Sequence, residues 1–147
     1  MTHITLAPIT VENWKEAIAL KVAPAQQAFV PENLYSIAEA QFYPEAKALA
    51  IYNDSEQMVG FALYGRDVQR GKWKIFRLMI DAAQQGKGYG RAAMVQLITE
   101  IRQQPDCDEI WIAYQTHNHR ARRLYVSLGF HEQSDQVGNV TAKLSFD

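Results

Sequence analysis

Gln85-Gly86-Lys87-Gly88-Tyr89-Gly90-Arg91 sets three alternating glycines beside two cations, and what flanks this stretch decides the fold. Upstream, Trp73 to Asp81 reads as a strand; downstream, Ala92, Val95, Leu97, Ile98 and Ile101 recur at helical spacing, predicting a helix of about four turns from Gly88 to Arg102. A strand that runs through such a loop into a helix makes a cradle for an anion. Glycines let the backbone N–H groups converge, the helix N-terminus adds partial positive charge, and Lys87 and Arg91 add full charge. A pyrophosphate suits it. The same glycines could also serve only the geometry of a strand-to-helix turn, so the surroundings must separate the two readings.

Two nucleotide-binding patterns compete. A P-loop requires Ser or Thr after Gly-Lys, whereas Lys87 is followed by Gly88 and the earlier glycine is wrongly spaced. Gly88, Gly90 and Ala93 satisfy the dinucleotide pattern G-x-G-x-x-A, yet the acids available to hold a ribose, Asp108 and Glu109, fall at the start of the next predicted strand instead of after its end.

Working outward, Glu109 to Tyr114 is a second strand, Asn118 to Leu128 a helix, and Phe130 to Phe146 a two-stranded piece turning at Gly138-Asn139. Toward the N-terminus, Ala48 to Tyr52 and Met58 to Tyr64 are apolar runs joined by Asn53-Asp54-Ser55-Glu56, a turn-forming cluster, and Gly71 marks the next turn. His3 to Pro8 opens the chain as a strand, and Thr10 is placed to N-cap a helix with Val11, Trp14 and Ile18 on one face. Pro24 and Pro31 divide Ala23 to Gln41 into two short helical pieces. The order βααβββαβαββ predicts an α/β (α+β) fold: a mixed, mostly antiparallel sheet with one parallel β-α-β crossover and helices on both faces. The crossover is where the chemistry should sit.

The 147 residues suit a single domain, 1–147, with no linker; 48% are hydrophobic and 21% charged, as in packed soluble proteins. Fifteen basic and 16 acidic residues give a net charge of -1, so no global field draws the protein to nucleic acid or to a membrane. Neither is expected as a partner. Cys107 is alone, which excludes an internal disulfide, and its flanking Asp106 and Asp108 disfavour a reactive thiolate. With no signal-like N-terminus and no apolar run of membrane-spanning length, a cytoplasmic protein is expected.

The second informative stretch is Asn118-His119-Arg120-Ala121-Arg122-Arg123-Leu124-Tyr125-Val126-Ser127-Leu128-Gly129-Phe130. Helical spacing puts Asn118, Ala121, Arg122 and Tyr125 on one face, with Leu124 and Leu128 on a neighbouring apolar stripe and Gly129 ending the helix. By itself Tyr125 reads as a half-buried core aromatic. Together, the two stretches resemble the GNAT superfamily of N-acetyltransferases, marked by Q/R-x-x-G-x-G/A and a later N-x-x-A-x-x-L-Y-x-x-x-G-F. The first mark falls on Gln85, Gly88 and Gly90, and the second on Asn118, Ala121, Leu124, Tyr125, Gly129 and Phe130. Within the superfamily the chain looks closest to bacterial spermine/spermidine acetyltransferases, through Phe61-Ala62-Leu63-Tyr64-Gly65 and Phe76-Arg77-Leu78-Met79-Ile80-Asp81. It departs from them at Phe76, where those enzymes often carry an acid.

The resemblance implies acetyl-CoA as cosubstrate and no metal. It implies that pantetheine lies along the backbone of Leu78, Met79 and Ile80, that Gly86, Lys87, Gly88, Tyr89, Gly90 and Arg91 bind the pyrophosphate, and that Gln85 and Asn118 belong to the same coenzyme site. A backbone N–H near Leu78 is expected to polarise the thioester carbonyl. Tyr125, a phenol, suits protonation of the departing thiolate. With Phe76 unable to act as a base, a water chain must carry off the amine's proton, with Glu32, Glu39 or His117 as relays. Arg120, Arg122 and Arg123 read first as a solvated face and second as partners for the coenzyme 3'-phosphate.

The acceptor is expected to be a small-molecule amine, with a polyamine favoured. If Pro31 to Gln41 is helical, Glu32, Tyr35 and Glu39 align two carboxylates and a ring on one face, while Leu34, Ile37 and Ala38 turn inward. An ordinary amphipathic helix fits the same spacing. Acetylation of protein amines or aminoglycosides, and a non-catalytic acyl-CoA sensor, are the alternatives; a homodimer is expected by analogy with related enzymes.

Overall fold

The computed structural model describes residues 2–43 and 45–146. Seven strands form one sheet: β1 (Ile4–Pro8), β2 (Lys47–Asn53), β3 (Met58–Arg66), β4 (Trp73–Ile80), β5 (Glu109–Gln115), β6 (His131–Gln136) and β7 (Asn139–Ser145), in the order β1-β2-β3-β4-β5-β7-β6. All neighbours are antiparallel except β4 and β5, as the crossover predicts. Helices α1 (Trp14–Ala19) and α2 (Asn33–Ala40) cover one face; α3 (Tyr89–Arg102) and α4 (His119–Ser127) cover the other.

Strand β3 is buried on both sides, which is why its sequence is an unbroken apolar run: Phe61 and Leu63 pack toward α1 and α2, Val59, Ala62 and Tyr64 toward α3. The larger core, on the α3 side, takes Met94, Leu97 and Ile101 from α3 and Tyr125 from α4.

One irregularity positions the site. In the pairing of β3 with β4, Tyr64 faces Ile75 and Leu63 faces Arg77, so Phe76 is an extra residue, a β-bulge. Before it, Trp73 and Ile75 turn to the α3 core; after it, Leu78 and Ile80 do, while Phe76 and Met79 turn to the α1/α2 core. The bulge therefore reverses the strand's alternation and bends it. Strands β4 and β5 pair only at Trp73–Ile75 with Ile110–Ile112 and then part, leaving the outer edge of Phe76 to Ile80 without a strand partner.

Several sequence expectations need correction. Helix α1 begins at Trp14, not after Thr10: the Thr10 hydroxyl accepts from the Glu12 N–H and closes a turn, Asn13 takes the cap position, and Val11 is 80% exposed. In α3, Val95 is exposed and Ala93 and Met94 are buried in its stead. The β6–β7 turn centres on Val137 and Gly138, both with positive φ, because Asn139 already pairs with Gln136. In α2 Asn33 and Ser36 are buried and Ile37 packs on the core as expected, whereas Leu34 and Ala38 are exposed. Asn33 can be buried because its Nδ2 donates to the Ala17 carbonyl, 2.9 Å away.

Candidate active site

Where β4 and β5 part, a cleft of about 540 Å³ opens between the free edge of β4, the glycine loop and the first turns of α4. Its size is that of a site for a ligand much larger than a metabolite fragment. The strand edge offers unpaired backbone N–H and C=O groups, which an extended ligand carrying amides can pair as an added strand does.

At one end, Gly88 stands at the N-cap of the 14-residue α3 with φ 85° and ψ 6°, a left-handed conformation that glycine adopts without strain. Gly90, by contrast, is helical, and a Cβ there would meet nothing nearer than Ile80 Cγ1 at 3.8 Å. The fold itself does not demand glycine at 90. Since Gly90 lines the cleft, the empty volume is what a close-approaching ligand would need. Arg91 and Arg120 bring charge to this end, Arg91 held by Ser127 Oγ at 2.8 Å and Arg120 by Gln85 Oε1 at 3.2 Å. The loop thus fits a diphosphate by backbone, dipole and charge together.

The structure brings together most of the predicted coenzyme residues. Leu78, Met79, Ile80, Gln85, Gly86, Gly88, Tyr89, Gly90, Arg91 and Asn118 all line the cleft, with Tyr125. Lys87 does not, although its Nζ donates at 3.1 Å to Oε1 of Gln84, which does. Gln85 acts as a strut, its amide donating to Gln26 Oε1 (2.7 Å) and the Ile80 carbonyl (2.9 Å). Asn118 N-caps α4, its Oδ1 accepting from the Ala121 N–H at 3.3 Å. Of the three arginines read as a solvated face, Arg120 reaches the cleft, whereas Arg122 turns from the expected common face to pair with Glu132 of β6 at 2.8 Å.

Tyr125 is 8% exposed, its ring against Tyr114 (centroids 5.4 Å) and Phe130 (6.1 Å). Among the described residues its hydroxyl has no hydrogen-bond partner, and Arg77 Nε is the single buried side-chain nitrogen or oxygen left without one; the phenol oxygen is therefore open to the cleft. Burial pushes the phenol up to about 12, so it holds its proton at any physiological pH. Tyr114, which sequence reasoning passed over as a strand aromatic, lines the cleft beside it and donates to Glu132 Oε2 at 2.8 Å; burial first, then that carboxylate, raises its pKa.

The residues expected to hold the acceptor are dispersed. Glu39 pairs with Arg77 at 3.1 Å, and Tyr35 lies under the same guanidinium at 5.9 Å. Glu32, the N-cap residue of α2, pairs with Lys21 at 3.2 Å. None of the three lines the main cleft. Glu32 does line a side cavity of about 180 Å³ that shares Val22, Val30, Pro31 and Met79 with the cleft wall. His117 is exposed and off the cleft. Cys107 is half-buried, its thiol raised by burial and by Asp108, in keeping with an inert role. No helix among the described residues is long and apolar enough to cross a membrane.

Known proteins resemble this chain in sequence and in fold. The chain is 27% identical over 133 residues to the spermine/spermidine N(1)-acetyltransferase of Bacillus subtilis, covering 86% of this chain and 87% of that one. An acetyltransferase from Thermus thermophilus superposes with a TM-score of 0.78 at 17% identity, covering 98% of this chain and 97% of the other. A spermidine N-acetyltransferase from Vibrio cholerae, solved with CoA and spermine, superposes with a TM-score of 0.75 at 13% identity, covering 96% and 93%. Residues 12–130 match the model of the acetyltransferase (GNAT) family, a span that takes in the bulged strand, the glycine loop and the tyrosine helix: the chain belongs to that family and is an acetyl-CoA-dependent N-acetyltransferase.

Proposed function

We propose that the chain acetylates a primary amine of a small polyamine such as spermidine or spermine, by direct attack of the amine within a ternary complex. The observation that carries the reading is the adjacency of two spaces: a cleft with a free strand edge and an anion cradle, and a side cavity bearing Glu32 that shares four of its wall residues. A long, flexible amine can place one nitrogen in the cleft and a distal ammonium beside Glu32, where it would replace Lys21. The Bacillus relative's name agrees with that acceptor.

Acetyl-CoA supplies the acetyl group as an activated thioester. The backbone N–H groups of residues 86–91, with Arg91 and Arg120, would hold its phosphates, and the edge of Leu78 to Ile80 its amide-bearing arm. The Lys87 side chain, which does not line the cleft, is left out of this set. A backbone N–H at that edge, fixed by the bonds β4 makes with β3, stands ready to donate to an oxyanion, a contribution of roughly 3 kcal/mol. Tyr125 carries a proton and has no acceptor for it among the described residues, so it can donate to a departing thiolate. Cys107 does not line the cleft, which favours direct transfer over an acyl-cysteine route.

The acceptor is tested with Glu32→Gln. The pair with Lys21 is exposed and contributes little to stability, so the fold should hold. The KM for spermidine should rise several-fold, while that for a monoamine stays unchanged, because only the polyamine has a distal charge to place. Equal effects on both, or no spermidine-dependent release of CoA thiol by the wild type, overturns the polyamine reading and leaves the family's chemistry standing.

A further inference from the structure

The cleft poses a problem of proton balance. An aliphatic amine, with a reference pKa of about 10.4, arrives as an ammonium and must lose a proton before it can attack. Yet among the described residues no carboxylate, imidazole or thiol lines the cleft; its ionisable groups there are three arginines, three tyrosines and Lys74. Arginine does not deprotonate in proteins. Tyr114 and Tyr125 are both shifted upward and hold their protons.

We propose that Lys74, acting as its neutral amine, is the general base that takes the proton from the acceptor ammonium. Its position suits the task. Lys74 belongs to the last stretch in which β4 pairs with β5, facing Trp111, one residue before the strands part. Since Trp73 and Ile75 turn to the α3 core, the alternation sends Lys74 to the opposite face, the side of α2 and of the bulged Phe76, and its Nζ lies 5.4 Å from the Phe76 ring centroid. There the resemblance to polyamine acetyltransferases led one to expect an acid. The lysine amine thus stands next to the position from which the carboxylate is missing.

Burial, more than any neighbouring charge, favours the neutral form. From the loop before β4, Asp67 pairs with Arg70 at 2.6 Å; from α2, Glu39 pairs with Arg77 of β4 at 3.1 Å; from β5 and β7, Glu109 pairs with Lys143 at 4.0 Å. Tyr43 is stacked on Phe76, its hydroxyl donating to Glu39. Each acid therefore has its own cation, and Lys74 has no ion-pair or hydrogen-bond partner among the described residues. Burial lowers its pKa, Arg70 and Arg77 add to that, and the pull of Asp67 and Glu39 the other way does not cancel it. An arriving cationic amine would lower it further. In the step, one N–H bond of the acceptor ammonium breaks and one forms at Lys74 Nζ, leaving R–NH2 and Lys74–NH3+. The proton then returns to solvent through the cleft mouth.

The proposal rests on the acetyltransferase reading but not on the polyamine, since any primary alkylamine that the wild type acetylates will serve as acceptor. The experiment compares wild type, Lys74→Arg and Lys74→Gln by thiol release from pH 7 to 10, with CoA affinity measured by calorimetry. At pH 7.5 both variants should lose about 10²-fold in kcat/KM at unchanged CoA affinity, because arginine keeps the charge but cannot accept the proton. The deficit should shrink toward pH 10, where the acceptor sheds its own proton. Wild-type activity in Lys74→Arg would assign the residue a charge role instead, and a deficit equal at every pH would make it structural; either result overturns the base.

Discussion

Tyr125→Phe separates catalysis from packing more cleanly than any other change to this cleft. The ring sits between Tyr114 and Phe130 with 8% of the residue exposed, so phenylalanine keeps the buried area and the aromatic contacts. The lost hydroxyl makes no hydrogen bond to the described residues, so no partner is left unsatisfied. Stability should therefore change by no more than about 0.5 kcal/mol, whereas Tyr125→Ala should lose roughly 3–5 kcal/mol. The kinetic cost is set by the bond to a leaving thiolate. A charge-assisted hydrogen bond contributes roughly 1.5–3 kcal/mol, which at about 1.4 kcal/mol per decade lowers kcat by about 10- to 150-fold. With the phenol at about 12, the ionised fraction at pH 7 is about 10⁻⁵, so the donor is present throughout the working range and is lost only as pH rises toward 12. The assay is thiol release at saturating acetyl-CoA, with single-turnover measurements to ensure that chemistry limits, and calorimetry for CoA affinity. A kcat within threefold of wild type under those conditions would refute the proton-donor role and return Tyr125 to the core.

Three further outcomes follow from the same geometry. Gly90→Val should weaken CoA binding at least tenfold while Tm changes little, because the fold leaves room for a side chain there; Gly88→Val is the confounded comparison, since its φ of 85° and a Thr2 Oγ1 at 3.1 Å strain the protein whatever the ligand does. Glu39→Gln leaves the half-buried Arg77, whose Nε already lacks a partner, without its carboxylate; thermal denaturation should show a loss of about 2 kcal/mol, against near zero for the exposed Glu32→Gln. Glu132 is held below the usual carboxylate range by Arg122 first and then by Tyr114. A depressed carboxylate stabilises the fold above its ordinary value of 4.5, and that share is lost as pH falls through the lower folded value. Urea titrations should thus show wild type more stable than Glu132→Gln at pH 6, with the difference closing below about pH 4.

What could be seen in the sequence divides by the range of the interaction. The hairpins were legible because apolar runs and turn residues are local signals, and the glycine turn into α3 was legible because Gly86 to Gly90 lie within one turn of a helix start. Tyr125 was found through its motif, its composition alone pointing to the core. The errors share another cause. Leu34 and Ala38 were turned inward on hydrophobicity, but Asn33 and Ser36 take the buried places beside Ile37, Asn33 bonding to a carbonyl 16 positions earlier, in α1. The bulge at Phe76 is invisible because it exists only as a mismatch between β3 and β4: nothing within Trp73 to Ile80 says that Ile75 and Arg77 will face adjacent residues of another strand. That mismatch sends Phe76 and Arg77 to the same side and parts β4 from β5. It also brings Arg77 to Glu39, 38 positions away, and so sets the charges around Lys74. The glycine loop is thus written in contiguous residues, and the surroundings of Lys74 in pairings between distant ones. It follows that variants within residues 85–91 should act chiefly on coenzyme affinity, whereas acceptor preference should respond to changes on either side of the β3–β4 mismatch, including positions such as Leu63 that touch no substrate.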